Sequence, residues 1–214
     1  MGRGSTDALV RRVAPALAGG MLLLATAAVS QAAGPVLPKE RLTLSATLGV
    51  GRPSGSIFRE VYGSALTPFG AQLNWRPTSR GLEVFVGLRH VRKSGEAVVD
   101  DGAGLTTGER VSFRMTSVRL GVEQSVARGP WVLGAGIGAS YNWYRERWPS
   151  FDLETTGARA GLVAQVTAAR RLSRRWLLLA RGEFSAISSA VAEDEMPRVG
   201  LGSLDLAAGV AFRF

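Results

Sequence analysis

One histidine, His90, is the only side chain in this 214-residue chain whose ordinary pKa lies near neutrality. As a general base it would need a nucleophile within hydrogen-bond reach. Val91 and Arg92 follow it, and Ser94 falls in the next loop, so its own segment supplies no partner; a solvated histidine fits the residues better. Two glycine runs, "GVGRPSG" (49–55) and "GAGIG" (134–138), have the composition of phosphate loops. Neither opens a helix whose N-terminus could receive a phosphate. Acidic residues cluster at Asp100 and Asp101 and at Glu193, Asp194 and Glu195, where they could hold a divalent cation or bridge to a phosphate, yet their spacing matches no ligand set. Arg145 and Arg147 beside Trp148 could bind phosphate, with ordinary surface charge as the alternative. These patterns assign no catalytic residue, no metal site and no cofactor.

The elements that carry these residues follow from composition and alternation. Cysteine is absent, which excludes disulfides and thiolate metal sites. The 26 basic residues, nearly all arginine, exceed the 17 acidic ones and give +9, but they are scattered along the chain and form no basic helix, which argues against nucleic acid. Residues 1–32 have the three parts of a secretory signal. Arg3, Arg11 and Arg12 precede an apolar run from Val13 to Val29, and Ser30-Gln31-Ala32 supplies small residues for cleavage. A permanent helical anchor is the alternative, opposed by Pro15, Gly19 and Gly20 within the run. Residues 33–40 read as a short periplasmic leader and 41–214 as one domain.

From residue 41 onward the pattern has period two. Leu42, Leu44, Ala46, Leu48 and Val50 oppose Thr43, Ser45, Thr47 and Gly49; "WVLGAGIGASYNWY" sets Trp131, Leu133, Ile137, Tyr141 and Trp143 against glycine, serine and Asn142. Eight such strands of roughly 9–11 residues are expected, with no helical period among them. In 109–126 the pattern changes phase between Met115 and Val118, which predicts a bulge. Short turns alternate with longer segments at 52–68, 94–108, 145–154 and 190–201. Short turns on one side and long loops on the other suit an all-β, antiparallel, up-and-down transmembrane barrel. Its apolar face would meet lipid and its polar face fill a narrow interior. The expected interior ionic network is Glu83, Arg89, Arg119, Glu123, Arg159, Arg181, Glu183, Asp205 and Arg213, plugging the barrel rather than lining a pore. Trp75, Trp131, Trp176 and Phe212 are expected at the periplasmic interface, and Phe69, Tyr141 and Trp143 at the opposite one. Arg76, Arg80, Arg128, Arg174 and Arg175 at the short turns are placed against anionic headgroups. His90, in phase with Leu88, would face lipid near the outer leaflet.

With its signal, its eight alternating strands and the terminal "VAFRF", the chain resembles the small OmpA/OmpX-type outer-membrane β-barrel proteins over about residues 41–214. The stretch "GVGRPSGSIFREVYGSALTPFGAQL" is similar to the first hairpin of one large branch of them. The resemblance implies export to the outer membrane of a Gram-negative cell and says little about activity; the residues as a whole lead to the expectation of a monomeric barrel without enzymatic activity, with a structural or surface-interaction role through extracellular loops. It implies lipid, lipopolysaccharide and the barrel-assembly machinery as partners, the last reading Phe214 and Phe212, with an unidentified partner at the loops and no nucleic acid. Three other classes stay open: a lipid A-modifying enzyme using His90, a narrow channel, and a soluble exported sandwich or lipocalin-like binder.

Overall fold

The computed structural model describes residues 41–77, 81–100, 106–187 and 200–214. The signal, the leader, Arg80, Asp101 and the 193–195 acidic cluster lie outside them. Eight strands follow one another: β1 (Leu42–Pro53), β2 (Phe69–Trp75), β3 (Leu82–Asp100), β4 (Thr106–Arg128), β5 (Trp131–Trp148), β6 (Leu153–Arg171), β7 (Trp176–Ile187) and β8 (Ser203–Arg213). Each pairs with its neighbour, and β8 pairs antiparallel with β1 to close the barrel. The amide of Phe214 extends the seam by donating to the Leu42 carbonyl at 3.0 Å. Over the span in which all eight strands pair, closure leaves no ladder edge, the condition for a sheet to sit in hydrocarbon.

Alternation sorts the side chains as a membrane barrel requires. Ile137 and Leu162 are 68% and 69% exposed on the outer wall, whereas Arg89 and Asp205 are 4% and 5% exposed inside it. From Trp131 to Trp143 on β5, at the usual rise and a barrel tilt near 40°, the outer apolar band is about 30 Å tall. That matches a hydrocarbon layer.

Three expectations are corrected. The strands are not uniform in length: β2 has 7 residues and β4 has 23. Most of the expected loops at 94–108 and 145–154 are strand, and β5 joins β6 through a single 3-10 turn at Pro149–Phe151. The expected bulge is absent, since pairing of β4 with β3 and β5 runs unbroken through Met115 and Val118. What changes there is polarity. Below Ser117 the inward residues of β4 are Arg119 and Glu123; above it they are Met115, Phe113 and Val111, while Arg114 and Arg110 turn outward. Above Ser117 the wall has the ordinary arrangement of a water-facing sheet, apolar within and charged outside.

A helical segment also exists where none was expected. Ser56–Tyr62 forms a short helix, α1, whose Phe58 and Tyr62 are buried; it follows directly on the 49–55 glycine run, which was expected to open no helix, and spans only seven residues. The signal was present as apolar residues at Phe58 and Tyr62, four apart, but seven residues are too few for a convincing helical period.

The glycines of β4 and β5 have a packing reason. Phe85, fully buried in the lumen, is paired with Gly121, and Gly121 with Gly138. A Cβ at Gly121 would stand 2.5 Å from the Phe85 ring and one at Gly138 3.0 Å from it. The glycines form the floor on which that ring lies. Gly138→Val is therefore expected to lose about 3 kcal/mol or more by overpacking against backbone that cannot yield. Ala139→Val, on the lipid wall, should stay within about 0.5 kcal/mol. Urea unfolding in lipid vesicles checks both.

Candidate functional site

The lumen is filled in three layers. At the end of the short turns Val132, Ala169, Leu177, Leu179 and Ala211 form a small apolar cluster. This accounts for the irregular "WLLLARG", in which Leu177 and Leu179 turn inward between outward-facing neighbours.

Above it lies the ionic layer. Arg89 of β3 reaches across to β8, where its Nε donates to Asp205 Oδ2 at 2.7 Å and Nη2 donates to Ser203 Oγ at 3.0 Å. Arg119 of β4 pairs with Glu183 of β7. Glu123 accepts from Gln165, and Arg181 lies within electrostatic range of both Glu123 and Glu183. Lower down, Arg76 meets Glu83 at 2.5 Å, and Asn74 Nδ2 donates to the other Glu83 oxygen at 2.9 Å. Glu83 faces Glu123 directly across strands, as Glu183 faces Asp205. Directly opposed like charges are unfavourable. Arginines arriving from other strands compensate them here, which satisfies the demand that buried charge be paired.

Two residues stand elsewhere than expected. Arg76, assigned to headgroups at a short turn, is 5% exposed and pairs with Glu83 inside the barrel. The β2–β3 turn is so short that a side chain just past β2 can fold back into the lumen. Arg159, assigned to the network, is only half-buried on the row of Asn142, and its Nη1 donates to the Ala158 carbonyl at 3.1 Å. Among the described residues it makes no ion pair. Arg213 is buried and lines the lower end of the ionic layer with Arg76, Glu83 and Glu123. Cavities of about 20 and 50 Å³ remain in this layer. Spaces of that size hold a few waters at most.

The third layer is a plug. Phe58 and Tyr62 of α1, with Leu66 behind them, pack on Val91, Val111, Phe113, Met115 and Ile187. The Phe58 and Phe113 rings meet edge-on at 4.9 Å. Arg59 fixes α1 to its own stalk, Nη1 donating to the carbonyls of Pro53 and Ser54 at 2.9 and 2.8 Å. Burial, and then the neighbouring Glu146 carboxylate, push the Tyr62 phenol well above its ordinary range, so the plug holds it neutral.

On the outer wall the aromatics form two groups. Trp75, Trp131, Trp176 and Phe214 are exposed at the end of the short turns, with Phe212 edge-on between Trp176 and Phe214 at 4.9 Å from each. Phe69, Tyr141 and Trp143 are exposed toward the other end. His90 lies beside them, its ring 5.1 Å from that of Phe69 and its Nδ1 hydrogen-bonded to Thr116 Oγ1 at 2.9 Å. The structure thus gives His90 a hydroxyl partner from the next strand, which local sequence spacing could not show. His90 and Thr116 face each other across the β3–β4 ladder, which runs on unbroken past them, while the β2–β3 ladder ends at His90. Among the described residues no group of three or more histidine or carboxylate side chains could hold a metal.

No protein-family model matches the sequence, and no curated protein matches it. Solved structures do. The crystal structure of Neisserial surface protein A (NspA) superposes with a TM-score of 0.57 at 14% identity, covering 81% of this chain and 97% of that one. The outer membrane protein OprG from Pseudomonas aeruginosa gives a TM-score of 0.62 at 12% identity, covering 85% and 98%. At such identities the likeness is one of architecture: the chain has the fold of the small eight-stranded outer-membrane β-barrels.

Proposed function

We propose that this protein is an integral, monomeric barrel of the Gram-negative outer membrane, closed to ions, whose role lies on its extracellular wall rather than in its lumen. The observation that carries this reading is the inverted polarity of the sheet. Leu48, Ile137, Leu162 and Leu206 cover the outside, while Arg89, Arg119, Glu183 and Asp205 are enclosed. An apolar belt of that extent marks contact with lipid or another protein, and the aromatic groups at its two ends match membrane interfaces.

The ionic layer and the α1 plug support a barrel without a conducting path, and its role is read as non-enzymatic. The extensions of β3 to β6 above the band present the surface for partners, lipopolysaccharide among them. Phe212 and Phe214 would be read by the assembly machinery. Cell fractionation tests the placement: the protein should stay in the outer-membrane pellet through carbonate extraction, and recovery in periplasmic extract would overturn it. Planar-bilayer recordings should show no steps above leak; discrete conductance would overturn the closed lumen.

A further inference from the structure

Just above the upper aromatic group, the outer wall carries arginines in a register that repulsion alone would disfavour. Arg92 of β3 lies directly opposite Arg114 of β4, and Arg114 directly opposite Arg145 of β5. The three make one row across three adjacent strands, and all are exposed. Arg147 stands two residues above Arg145, also exposed. One carboxylate compensates the row locally, Glu154, at 2.6 Å from Arg145. Glu96, two rows higher, already faces Arg110. The row below consists of His90, Thr116 and Trp143. Two residues along a tilted strand raise the arginines about 5 Å above Trp143. With Trp143 at the interface, that is headgroup level.

We propose that the Arg92–Arg114–Arg145 row is a binding site for the phosphate groups of an outer-leaflet glycolipid such as lipid A. Neighbouring strands hold the arginine backbones about 5 Å apart, so one phosphate can bridge two guanidinium forks, and three arginines in a row offer two such bridging positions. Guanidinium binds phosphate through paired N–H donors in fixed geometry, which suits arginine over lysine here. The bound anion turns a repulsive row into an attractive one. The site faces outward at the lipid boundary, continuous with the apolar band, so a phosphate anchored by acyl chains fits it better than a free one. This inference rests on the outer-membrane reading given above.

The test uses the barrel folded into phosphatidylcholine vesicles with and without bis-phosphorylated lipid A. Lipid A should raise the unfolding midpoint of the wild type. The triple variant Arg92→Gln, Arg114→Gln, Arg145→Gln should retain at least tenfold less lipid A through detergent purification, since loss of one charged hydrogen bond alone gives about tenfold. In phosphatidylcholine alone the order should reverse, with the variant the more stable, because opposed like charges have been removed. A purely structural role for the arginines would not produce that crossover. Equal lipid A retention by the variant would overturn the proposal, as would equal stabilisation of the wild type by dephosphorylated lipid A or by inorganic phosphate. Should the triple variant fail to fold, Arg114→Gln, which breaks both neighbouring contacts, carries the same comparison. Insertion of the wild type into plain vesicles reads out the outer-membrane proposal separately.

Discussion

Arg89→Met is expected to lower the stability of the barrel in lipid by about 3–5 kcal/mol, the usual consequence of stranding one partner of a buried ion pair. Its effect should sit at the upper end of that range. Asp205, deprived of Arg89 at 2.6 Å, would face Glu183 directly across the β7–β8 pair. The double variant Arg89→Met, Asp205→Leu removes both charges from the lumen and should recover most of the loss, because a buried pair exchanged for apolar residues of similar volume is often neutral or better. Urea titrations of vesicle-folded protein, followed by tryptophan fluorescence, measure both. A single-variant loss below about 1 kcal/mol, the scale of an exposed pair, would mean that the layer is hydrated and its charges are not confined.

Phe113→Ala should remove about 3–5 kcal/mol as a large-to-small change in the upper core and should also release α1. Phe113 is 3% exposed and meets both plug aromatics, Phe58 at 4.9 Å and Tyr62 at 5.6 Å. Without that ring α1 loses the aromatic partner of both Phe58 and Tyr62 and keeps the aliphatic contacts of the upper core and its stalk contacts through Arg59. Trypsin cleavage after Arg59 in the folded, membrane-inserted protein is the second readout. The wild type should resist it, because the Arg59 guanidinium is held against the Pro53 and Ser54 carbonyls, whereas the variant should be cut while its strands stay protected. Resistance equal to the wild type would show that α1 is held independently of Phe113. Phe69→Ala, on the lipid-facing wall with its ring against His90, should leave the cleavage pattern unchanged.

Period-two alternation was enough to assign a side to nearly every strand residue. Leu206 and Asp205, or Ile137 and Gly138, fall on opposite faces because successive side chains in a strand must. The inverted assignment, apolar outward, followed from the charges opposite the apolar face and from the alternation of short and long connections. Local pattern stops short of what lies across the lumen. Arg89 and Asp205 are 116 residues apart, and Arg119 and Glu183 are 64 apart. Which charge meets which depends on strand tilt and on the stagger with which the sheet closes, quantities that belong to all eight strands together.

The same limit explains the readings that changed. Arg76 looked like a turn residue until the fold placed Glu83 within its reach. The phase change near Met115 looked like a bulge because alternation reports a contrast between faces and cannot say where the lipid ends. Only the closed barrel, with α1 folded into its mouth, shows that the wall above Ser117 turns its charges outward over an apolar core. Sequence determined the two faces of each strand; tertiary structure decided what each face touches, because contacts across a lumen are made by residues far apart in the chain and brought together only on closure.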